Sequence, residues 1–243
     1  MALELRQKYA AQFEEQNFAA LLTDVRARGG EVVAIYDDHD FLGNNRYGGD
    51  YGHVLRDAAR AEFVTAFHPA MTGPDVYGDR RLGLVDIIVL DERFYRTSPM
   101  DAGGDRDAIL GADQWNWLEQ TLSANTEAKY TLVASGTTLH TFADESWEQY
   151  PGAFQQLVGL LSGRRGALVV SGDLHRNATY DDSGVIEIVT SAVARNCIVF
   201  GSPRKELLHL LNFDEQKVHV DLRSLKVQWR YKFDIPLANW ALP

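Results

Sequence analysis

The sequence predicts a protein of the α/β class, and three observations support this prediction. Short apolar runs rich in β-branched residues alternate with segments of helical periodicity as far as about residue 185, which is the pattern of a sheet flanked by helices. The last quarter of the chain is instead a run of predicted strands. The 243 residues are enough to bury one full core, so a single domain is the simplest organisation. Together these observations predict an α/β sandwich closed by a β region.

Composition narrows the classes of protein to which the chain can belong. Hydrophobic residues make up 45% and charged residues 24% of the sequence, as in an ordinary globular protein. The formal net charge of −10 argues against general binding to nucleic acid or to an anionic membrane surface. The single cysteine, Cys197, excludes a disulfide framework within the chain. No apolar run reaches the length of a membrane span, and the charged first 22 residues are unlike a signal peptide, so the compartment stays open.

The first third of the chain contains two predicted helices and one predicted strand. A stripe of apolar residues over 3–22 predicts a helix, and a second helical pattern covers 54–67. Between them, the apolar run from Val32 to Tyr36 predicts a buried strand. The glycine-rich loop over 46–53 lacks the spacing of a nucleotide-binding fingerprint, so we do not predict a nucleotide site there.

The remainder of the chain alternates and then changes to strands only. The predicted elements are a strand pair over 80–95, a helix over 110–122, a strand over 130–134, a helix over 152–161, a strand over 167–170, and further strands over 185–190, 206–213, 217–222 and 225–231. Residues 214–216 are predicted to form a turn between two of these strands.

A polar cluster directly follows the first predicted strand, and it consists of Asp37, Asp38, His39, Asp40, Asn44 and Asn45. Candidate ligands also follow two later strands, with His140 after 130–134 and with Asp173 and His175 after 167–170. Because the carboxyl ends of parallel strands meet at one edge of a sheet, these groups are expected to converge. Carboxylate, amide and imidazole groups together favour a divalent or trivalent metal, whereas each group alone also suits a polar turn.

Four segments resemble motifs of the alkaline phosphatase D family of metallophosphoesterases. Tyr36–Phe41, followed by Asn44 and Asn45, is similar to the family motif W-D-D-H-D-[F/Y]-x-x-N-D. Ser171–His175 is similar to the motif S-G-D-V-H. The other two segments are similar to an L-G-x-x-Q-x-x-W-L helix and to a strand ending in L-D-x-R, and they are Leu110–Leu118 and Val85–Arg93. Order and spacing agree over about residues 5–196.

This resemblance implies a metallophosphoesterase-type αββα sandwich of two mixed β-sheets flanked by helices, with residues 1–243 as one domain. It implies hydrolysis of phosphomonoesters or phosphodiesters through a metal-activated water. Two or more metal ions are expected, calcium and iron first, with zinc, manganese or magnesium as alternatives. The expected partner is a phosphate-ester substrate, and no nucleic-acid scaffold is expected.

The resemblance also implies a set of metal ligands. Asp38 and His175 match metal-binding positions of the family, and Asp173 occupies a position where a carboxylate oxygen suits a hard ion such as calcium. His140 lies near a further metal-binding motif, although a capping or polar-loop role is the alternative for this residue.

Catalytic and phosphate-binding roles follow in the same way. His39 matches the histidine that stabilises or protonates the leaving oxygen, and Asp40 matches the carboxylate that orients this histidine. Asn44 matches an asparagine that contacts phosphate or metal. The arginines that can hold phosphate oxygens in a bidentate fork, or else form ion pairs, are Arg93, Arg46 and Arg195.

A metal-binding strand motif of the family, G-D-x-[I/V]-Y, is not found ahead of Val32. We therefore expect an N-terminally truncated domain with an incomplete two-metal site and little or no turnover from these 243 residues. One alternative is a non-catalytic remnant that binds metal or phosphate as an interaction module, and another is a metal-dependent hydrolase of other esters. Open sheet edges would also favour self-association.

Overall fold

The computed structural model describes residues 2–67, 76–124, 127–140, 145–174, 177–181, 183–190, 207–224 and 230–237. Seven α-helices lie within these residues: α1 Ala2–Glu14, α2 Gln16–Ala27, α3 Asp38–Phe41, α4 His53–Phe67, α5 Pro99–Ala102, α6 Gly111–Ala124 and α7 Pro151–Ser162. In the same residues, short 3₁₀ turns are found at Gly48–Asp50, Arg106–Ala108 and Trp147–Gln149.

The larger sheet has six strands in the order β1-β2-β3-β4-β6-β5. Their bounds are β1 Gly78–Leu82, β2 Val85–Val89, β3 Tyr130–Ala134, β4 Ala167–Ser171, β5 Ala178–Tyr180 and β6 Ile186–Val189. The four central strands β2, β3, β4 and β6 are parallel, whereas β1 and β5 pair antiparallel at the two edges. The loops after the four parallel strands therefore all leave at one edge of the sheet.

Helices α6 and α7 cover one face of this sheet because each has an apolar stripe of helical spacing. Trp115, Leu118 and Leu122 of α6 are buried against inward-facing strand residues such as Val133 and Val169. On the strands, residues of opposite parity face the other side, as the two-residue period of a strand requires.

A smaller antiparallel sheet packs on that other side, and its strands are β7 Leu207–Phe213, β8 Lys217–Ser224 and β9 Arg230–Pro236. Val218 and Val220 of β8 form a buried cluster with Tyr130, Leu168 and Ile188 of the larger sheet. The mixed α/β sandwich with two sheets and surrounding helices is thus confirmed, with the smaller sheet antiparallel. No helix among the described residues is both long enough and apolar enough to cross a bilayer.

The N-terminal helices form a third core beside the carboxyl edge of the larger sheet. Leu5 and Tyr9 of α1 and Phe63 of α4 pack with Tyr36 and Phe41 from the segment that carries the polar cluster. The single helix predicted over 3–22 is two helices, because Glu15 leaves the helical conformation and its carboxylate caps the amide of Phe18.

One strand prediction is wrong, and a second strand is observed with shifted bounds. Within the described chain, Val32–Tyr36 belongs to no strand, although Glu31 directly before it pairs with Arg80 on the open edge of β1. The last strand was predicted over 225–231 and is observed over Arg230–Pro236, while 225–229 lie outside the described residues. The edge strand β5 and the helical turn α3 were not predicted.

Both outer edges of the larger sheet lack a further strand among the described residues. On the β1 edge, Arg80 forms a bidentate pair with Glu31, and Arg81 pairs with Asp86. Charged side chains on an edge strand disfavour pairing with another chain. Self-association through the edges stays a prediction.

Candidate functional site

Loops that follow β2, β3 and β4 meet the polar segment after Val32–Tyr36 at the carboxyl edge of the larger sheet. The approach is close at Gly136, where a Cβ atom would lie 3.3 Å from Oδ1 of Asp37. Glu187 of β6 anchors the loop after β3, since its buried carboxylate accepts hydrogen bonds from Ser171 Oγ at 2.5 Å and from the amide of Leu139 at 2.7 Å.

Three carboxylates from two distant parts of the chain converge at this edge. Asp37, Asp38 and Asp173, here called the acidic cluster, offer ligand oxygens that all lie within 4.8 Å of one another. Asp38 is buried, and its two oxygens accept hydrogen bonds from the amides of His39 at 2.7 Å and Asn45 at 2.8 Å. The helical turn α3 therefore holds the Asp38 carboxylate in a defined orientation.

Two residues of the site have left-handed backbone conformations. Asp173 has φ +66° and Asn45 has φ +52°, both in the region that glycine enters most easily. Asp and Asn tolerate this conformation better than other non-glycine residues, at some cost in local stability. At position 173 the chain therefore has a carboxylate, although the backbone conformation alone would favour glycine.

The acidic cluster raises the pKa of one of its own members. Burial is the largest cause, and repulsion from Asp37 is the next, so that the pKa of Asp173 rises to about 6. The positive charge of Arg93 opposes this shift, and the charge of Asp38 adds to it. A bound cation would favour the ionised form in the same place.

Arg93 lies fully buried behind the acidic cluster, where its guanidinium faces carboxylates. Its Nε donates to Oδ1 of Asp37 at 2.6 Å, and its Nη1 lies 3.0 Å from Oε2 of the buried Glu145. Nη2 also contacts Asp37 and lies 3.4 Å from Oγ1 of Thr137. The guanidinium is thus a counter-ion of buried carboxylates, and its binding of phosphate stays a prediction.

A second buried arginine completes this layer of charges. Arg96 donates to Oγ1 of Thr137 at 2.9 Å and to the hydroxyl of Tyr150 at 3.1 Å, and it also contacts the carbonyl oxygen of Glu145. Nearby, the amide of Thr137 donates to Oε2 of Glu92 at 3.0 Å. Burial raises the pKa of Glu92 to about 7, partly offset by hydrogen bonds from Ser135 and Thr137.

The loop that carries Arg93 is fixed at several points. Asp91 accepts a hydrogen bond from the hydroxyl of Tyr36 at 2.6 Å, and its other oxygen accepts from the amides of Arg93 and Phe94. Gln114 of α6 makes two hydrogen bonds with the backbone of Asp91, each of 2.8 Å. Residue 91 therefore links the polar segment, the loop after β2 and helix α6.

The predicted catalytic residues lie beside the acidic cluster on α3 and just after it. His39 is exposed, and its Nε2 lies 3.1 Å from Oδ1 of Asn44. Asn44 in turn donates from Nδ2 to Asn45 at 2.8 Å, which orients its oxygen toward the imidazole. The described partner of the His39 ring is thus Asn44, whereas Asp40 was the predicted one; Asp40 accepts a hydrogen bond at its backbone oxygen from Tyr9.

His140 does not join the acidic cluster. Its Nδ1 lies 2.9 Å from Glu148, its Nε2 lies 3.2 Å from Ser183, and its ring contacts Phe154 and Tyr180. With both nitrogens engaged, this histidine fits the polar-loop alternative rather than a metal ligand. His175 and Arg195 lie outside the described residues, and Arg46 is an exposed residue.

A family model described as PhoD-like phosphatase matches residues 2–228 of this chain. The chain belongs to the PhoD-like phosphatase family. No curated protein sequence matches it. Membership in the PhoD-like phosphatases agrees with the resemblance inferred from the sequence motifs and supports phosphate-ester hydrolysis as the chemistry of the fold.

Three solved structures illustrate the likeness at low sequence identity. GAP50, the anchor in the inner membrane complex of Plasmodium, has 14% identity and a TM-score of 0.44, with 65% of this chain and 53% of that chain covered. A predicted phosphoesterase of Streptococcus pneumoniae has 11% identity and a TM-score of 0.26, with 61% and 97% covered. Vps29 of Entamoeba histolytica has 12% identity and a TM-score of 0.29, with 85% and 92% covered. The PhoD-like chain spans about half the length of the GAP50 chain.

The residues at the site of this PhoD-like phosphatase fit a hard metal ion. Carboxylate oxygens are the ligands that calcium and similar cations prefer, and the acidic cluster offers three carboxylates. Two buried carboxylate oxygens close to the same layer, Oε1 of Glu92 and Oε1 of Glu145, have no hydrogen-bond partner among the described residues. These carboxylate oxygens therefore suit a hard cation, and several such cations fit them equally well.

Sequence reasoning missed several members of this site. Asp37 stands in the same motif as Asp38, yet its pairing with an arginine 56 residues away has no local signal. Arg96 follows Arg93 by three residues, and the buried acidic partner of both regions, Glu145, lies in a loop of ordinary composition. Two arginines spaced three apart directly after a buried strand are the one pattern that could have indicated a buried charge network.

Proposed function

We propose that this chain hydrolyses phosphate esters in a metal-dependent reaction at the acidic cluster, with low turnover. The observation that carries the proposal is that ligand oxygens of Asp37, Asp38 and Asp173 lie within 4.8 Å of one another. His39 directly follows Asp38 in the sequence. Family membership supports the phosphoesterase class. The choice of phosphomonoesters or phosphodiesters, and of calcium and iron as the metals, belongs to the proposal.

Each residue of the site has a separate role in this proposal. Asp38 and Asp173 hold the cation, and Asp37 helps to hold it while remaining paired with Arg93. The bound metal would supply charge compensation for the phosphate oxygens and a water of lowered pKa. In the imidazolium form, His39 keeps its Nε2 proton on Oδ1 of Asn44, while the proton on Nδ1 can pass to the leaving oxygen and leave a neutral imidazole.

Arg93 supports the site as a counter-ion. Because its guanidinium is buried between Asp37 and Glu145, it offsets part of the repulsion among carboxylates before a cation arrives. Asn44 keeps the imidazole of His39 in one orientation, which is the task that the sequence motif suggested for Asp40.

The test combines a binding measurement with a turnover measurement on the same variants. Calcium and manganese binding is measured by calorimetry, and hydrolysis of bis-p-nitrophenyl phosphate is followed with each metal present. Asp173→Asn is expected to weaken metal binding at least tenfold, since it removes one ionised ligand. His39→Ala is expected to retain metal binding and to lower any turnover about 100-fold, the usual contribution of a general acid.

The control is Asp101→Asn, which removes an exposed carboxylate from the short helix α5. Metal binding that is equally weakened by Asp101→Asn, or unchanged by Asp173→Asn, would sink the assignment of the acidic cluster. Metal binding without any turnover would favour the non-catalytic alternative, in which the site binds metal or phosphate as an interaction module.

A further inference from the structure

A cavity of about 340 Å³ opens beside His39 and is not used by the chemistry proposed above. It lies between α1, the first turns of α2, the end of α4 and the turn α3. Its apolar walls are formed by Leu5, Tyr9, Phe18 and Phe67. Lys8 and Gln12, both exposed on α1, add polar groups to the lining.

The aromatic walls of this cavity are held in place by neighbouring rings. Phe67 contacts Tyr9 and Phe13 with ring centroids 5.7 Å and 5.2 Å apart, and Phe13 contacts Phe18 at 5.7 Å. Phe67 also stacks on the fully buried Phe63 at 4.8 Å. Such a set of mutually packed rings offers edges and faces to another aromatic ring with little rearrangement.

The cavity and the acidic cluster share the turn α3. His39 and Asp40 both line the cavity, while the adjacent Asp38 supplies a carboxylate to the cluster. The hydroxyl of Tyr9 donates to the backbone oxygen of Asp40 at 2.5 Å, so the cavity wall is tied directly to this turn. A phosphate at the cluster whose leaving oxygen meets His39 would therefore direct its leaving group toward the cavity.

We propose that this cavity binds the leaving group of the substrate and that it selects a single aromatic ring. The inference rests on the proposed function for the position of the phosphate. The volume lies near the lower end of ligand pockets, which measure roughly 300–1,000 Å³, so the cavity accommodates one ring rather than an extended chain. The aromatic side chains favour an aryl group over a small alkyl group of the same ester.

The experiment separates ring binding from phosphate binding by using three probes. Phenol tests the cavity alone, and phenylphosphonate and methylphosphonate, each with calcium, test the cavity and the cluster together. Binding to the full chain is followed by NMR titration of the backbone amides. Phenol is expected to bind with a dissociation constant on the order of 1 mM, as befits so small a ligand. Phenylphosphonate is expected to bind about three- to tenfold more tightly than methylphosphonate.

Two variants change the cavity in different ways. Phe18→Ala removes one wall and keeps the backbone amide that Glu15 caps, and Gln12→Trp fills the cavity from an exposed position on its rim. Both are expected to abolish the preference for phenylphosphonate and to weaken phenol binding at least threefold. Phe154→Ala is the matched control, because Phe154 is a similarly half-buried ring on α7 outside this cavity.

The outcomes distinguish this inference from the proposed function. Phenol binding that persists in Asp173→Asn, and that Gln12→Trp removes, supports the cavity whatever happens at the cluster. Equal affinity for the two phosphonates, or phenol binding that neither cavity variant alters, overturns the inference. Binding of phenol with failure of both phosphonates would overturn the proposed function while still supporting an aromatic-binding cavity.

Discussion

Nε of Arg93 donates to Oδ1 of Asp37 at 2.6 Å, across 56 residues of sequence, and the guanidinium is fully buried. The same guanidinium lies 3.0 Å from Glu145. The charge of Arg93 thus neutralises part of the charge of two carboxylates, and the carboxylates of Asp38 and Asp173 lie next to this pair in the acidic cluster. The base of the site is stabilised by this charge in the absence of any cation.

Replacing Arg93 by methionine is expected to destabilise the fold strongly. The change leaves the carboxylates of Asp37 and Glu145 without their counter-ion in a buried environment, a loss of about 3–5 kcal/mol in the free energy of unfolding. Urea denaturation followed by circular dichroism measures it. Arg28→Met is the control, since Arg28 forms an exposed pair with Asp24 and should cost less than about 1 kcal/mol. Equal losses in the two variants would contradict a structural role for the buried pair.

Glu92 is expected to make stability depend on pH. Burial raises its pKa from 4.5 to about 7 in the folded protein, so the unfolded chain releases this proton first as the pH rises. Its contribution to stability is therefore complete below about pH 4.5 and is lost by about pH 7. The shift corresponds to roughly 3 kcal/mol.

The measurement compares urea denaturation at pH 5 and at pH 7.5 in the wild type and in Glu92→Gln. The glutamine cannot titrate, so the variant should lose roughly 2 kcal/mol less than the wild type over this interval, which covers most of the titration. Glu127→Gln, an exposed site, should follow the wild type. A Glu92→Gln curve parallel to that of the wild type would contradict the raised pKa.

Gly48 is expected to be intolerant of a side chain. Its amide donates to the backbone oxygen of Arg93 at 3.0 Å, and a methyl group there would overlap the carbonyl oxygens of Arg93 and Phe94. Gly48→Ala should lower the free energy of unfolding by about 3 kcal/mol or more, as overpacking against rigid backbone does. Gly52→Ala, in the same loop and with nothing within 4 Å of the added atom, should change it by less than about 0.5 kcal/mol. Similar thermal midpoints for both variants would argue against this close contact.

His140 is expected to stabilise its loop without contributing to metal binding. His140→Gln should lower stability by about 1–3 kcal/mol, because the ring contacts of Phe154 and Tyr180 and the hydrogen bonds of both nitrogens are disturbed. Calcium affinity measured by calorimetry should stay within a factor of two of the wild type. A tenfold loss of affinity would restore His140 as a ligand candidate.

The sequence predicted the elements whose signal is local and periodic. Helix α6 was predicted from Trp117, Leu118 and Leu122, although the structure buries Trp115 more deeply than Trp117. The carboxylate position of Asp173 followed from a motif at a strand end. The segment Val32–Tyr36 was predicted as a strand because extended loop and buried strand share the same apolar composition. Only the backbone pairing reveals that this segment joins neither sheet among the described residues.

The burial of Arg93 could not be predicted from sequence motifs. Arg93 looks like a phosphate ligand when it is placed beside a metal motif, and its complete burial between Asp37 and Glu145 depends on contacts across 56 and 52 residues. The ring contact of His39 with Asn44 was not predicted for a similar reason, since the loop after the helical turn α3 brings Asn44 back to the imidazole. Long-range contacts decide both cases.

The left-handed backbone at Asp173 and Asn45 sets stability and function against each other. Glycine at either position would relax the chain and remove a group that the site uses. A mutant library of this gene selected for heat resistance alone should therefore accumulate glycine at these two codons. Glycine in place of Asp173 should also weaken metal binding, because it removes a carboxylate of the acidic cluster. Selection that keeps the carboxylate must accept a slightly weaker fold, a trade-off common in catalytic proteins.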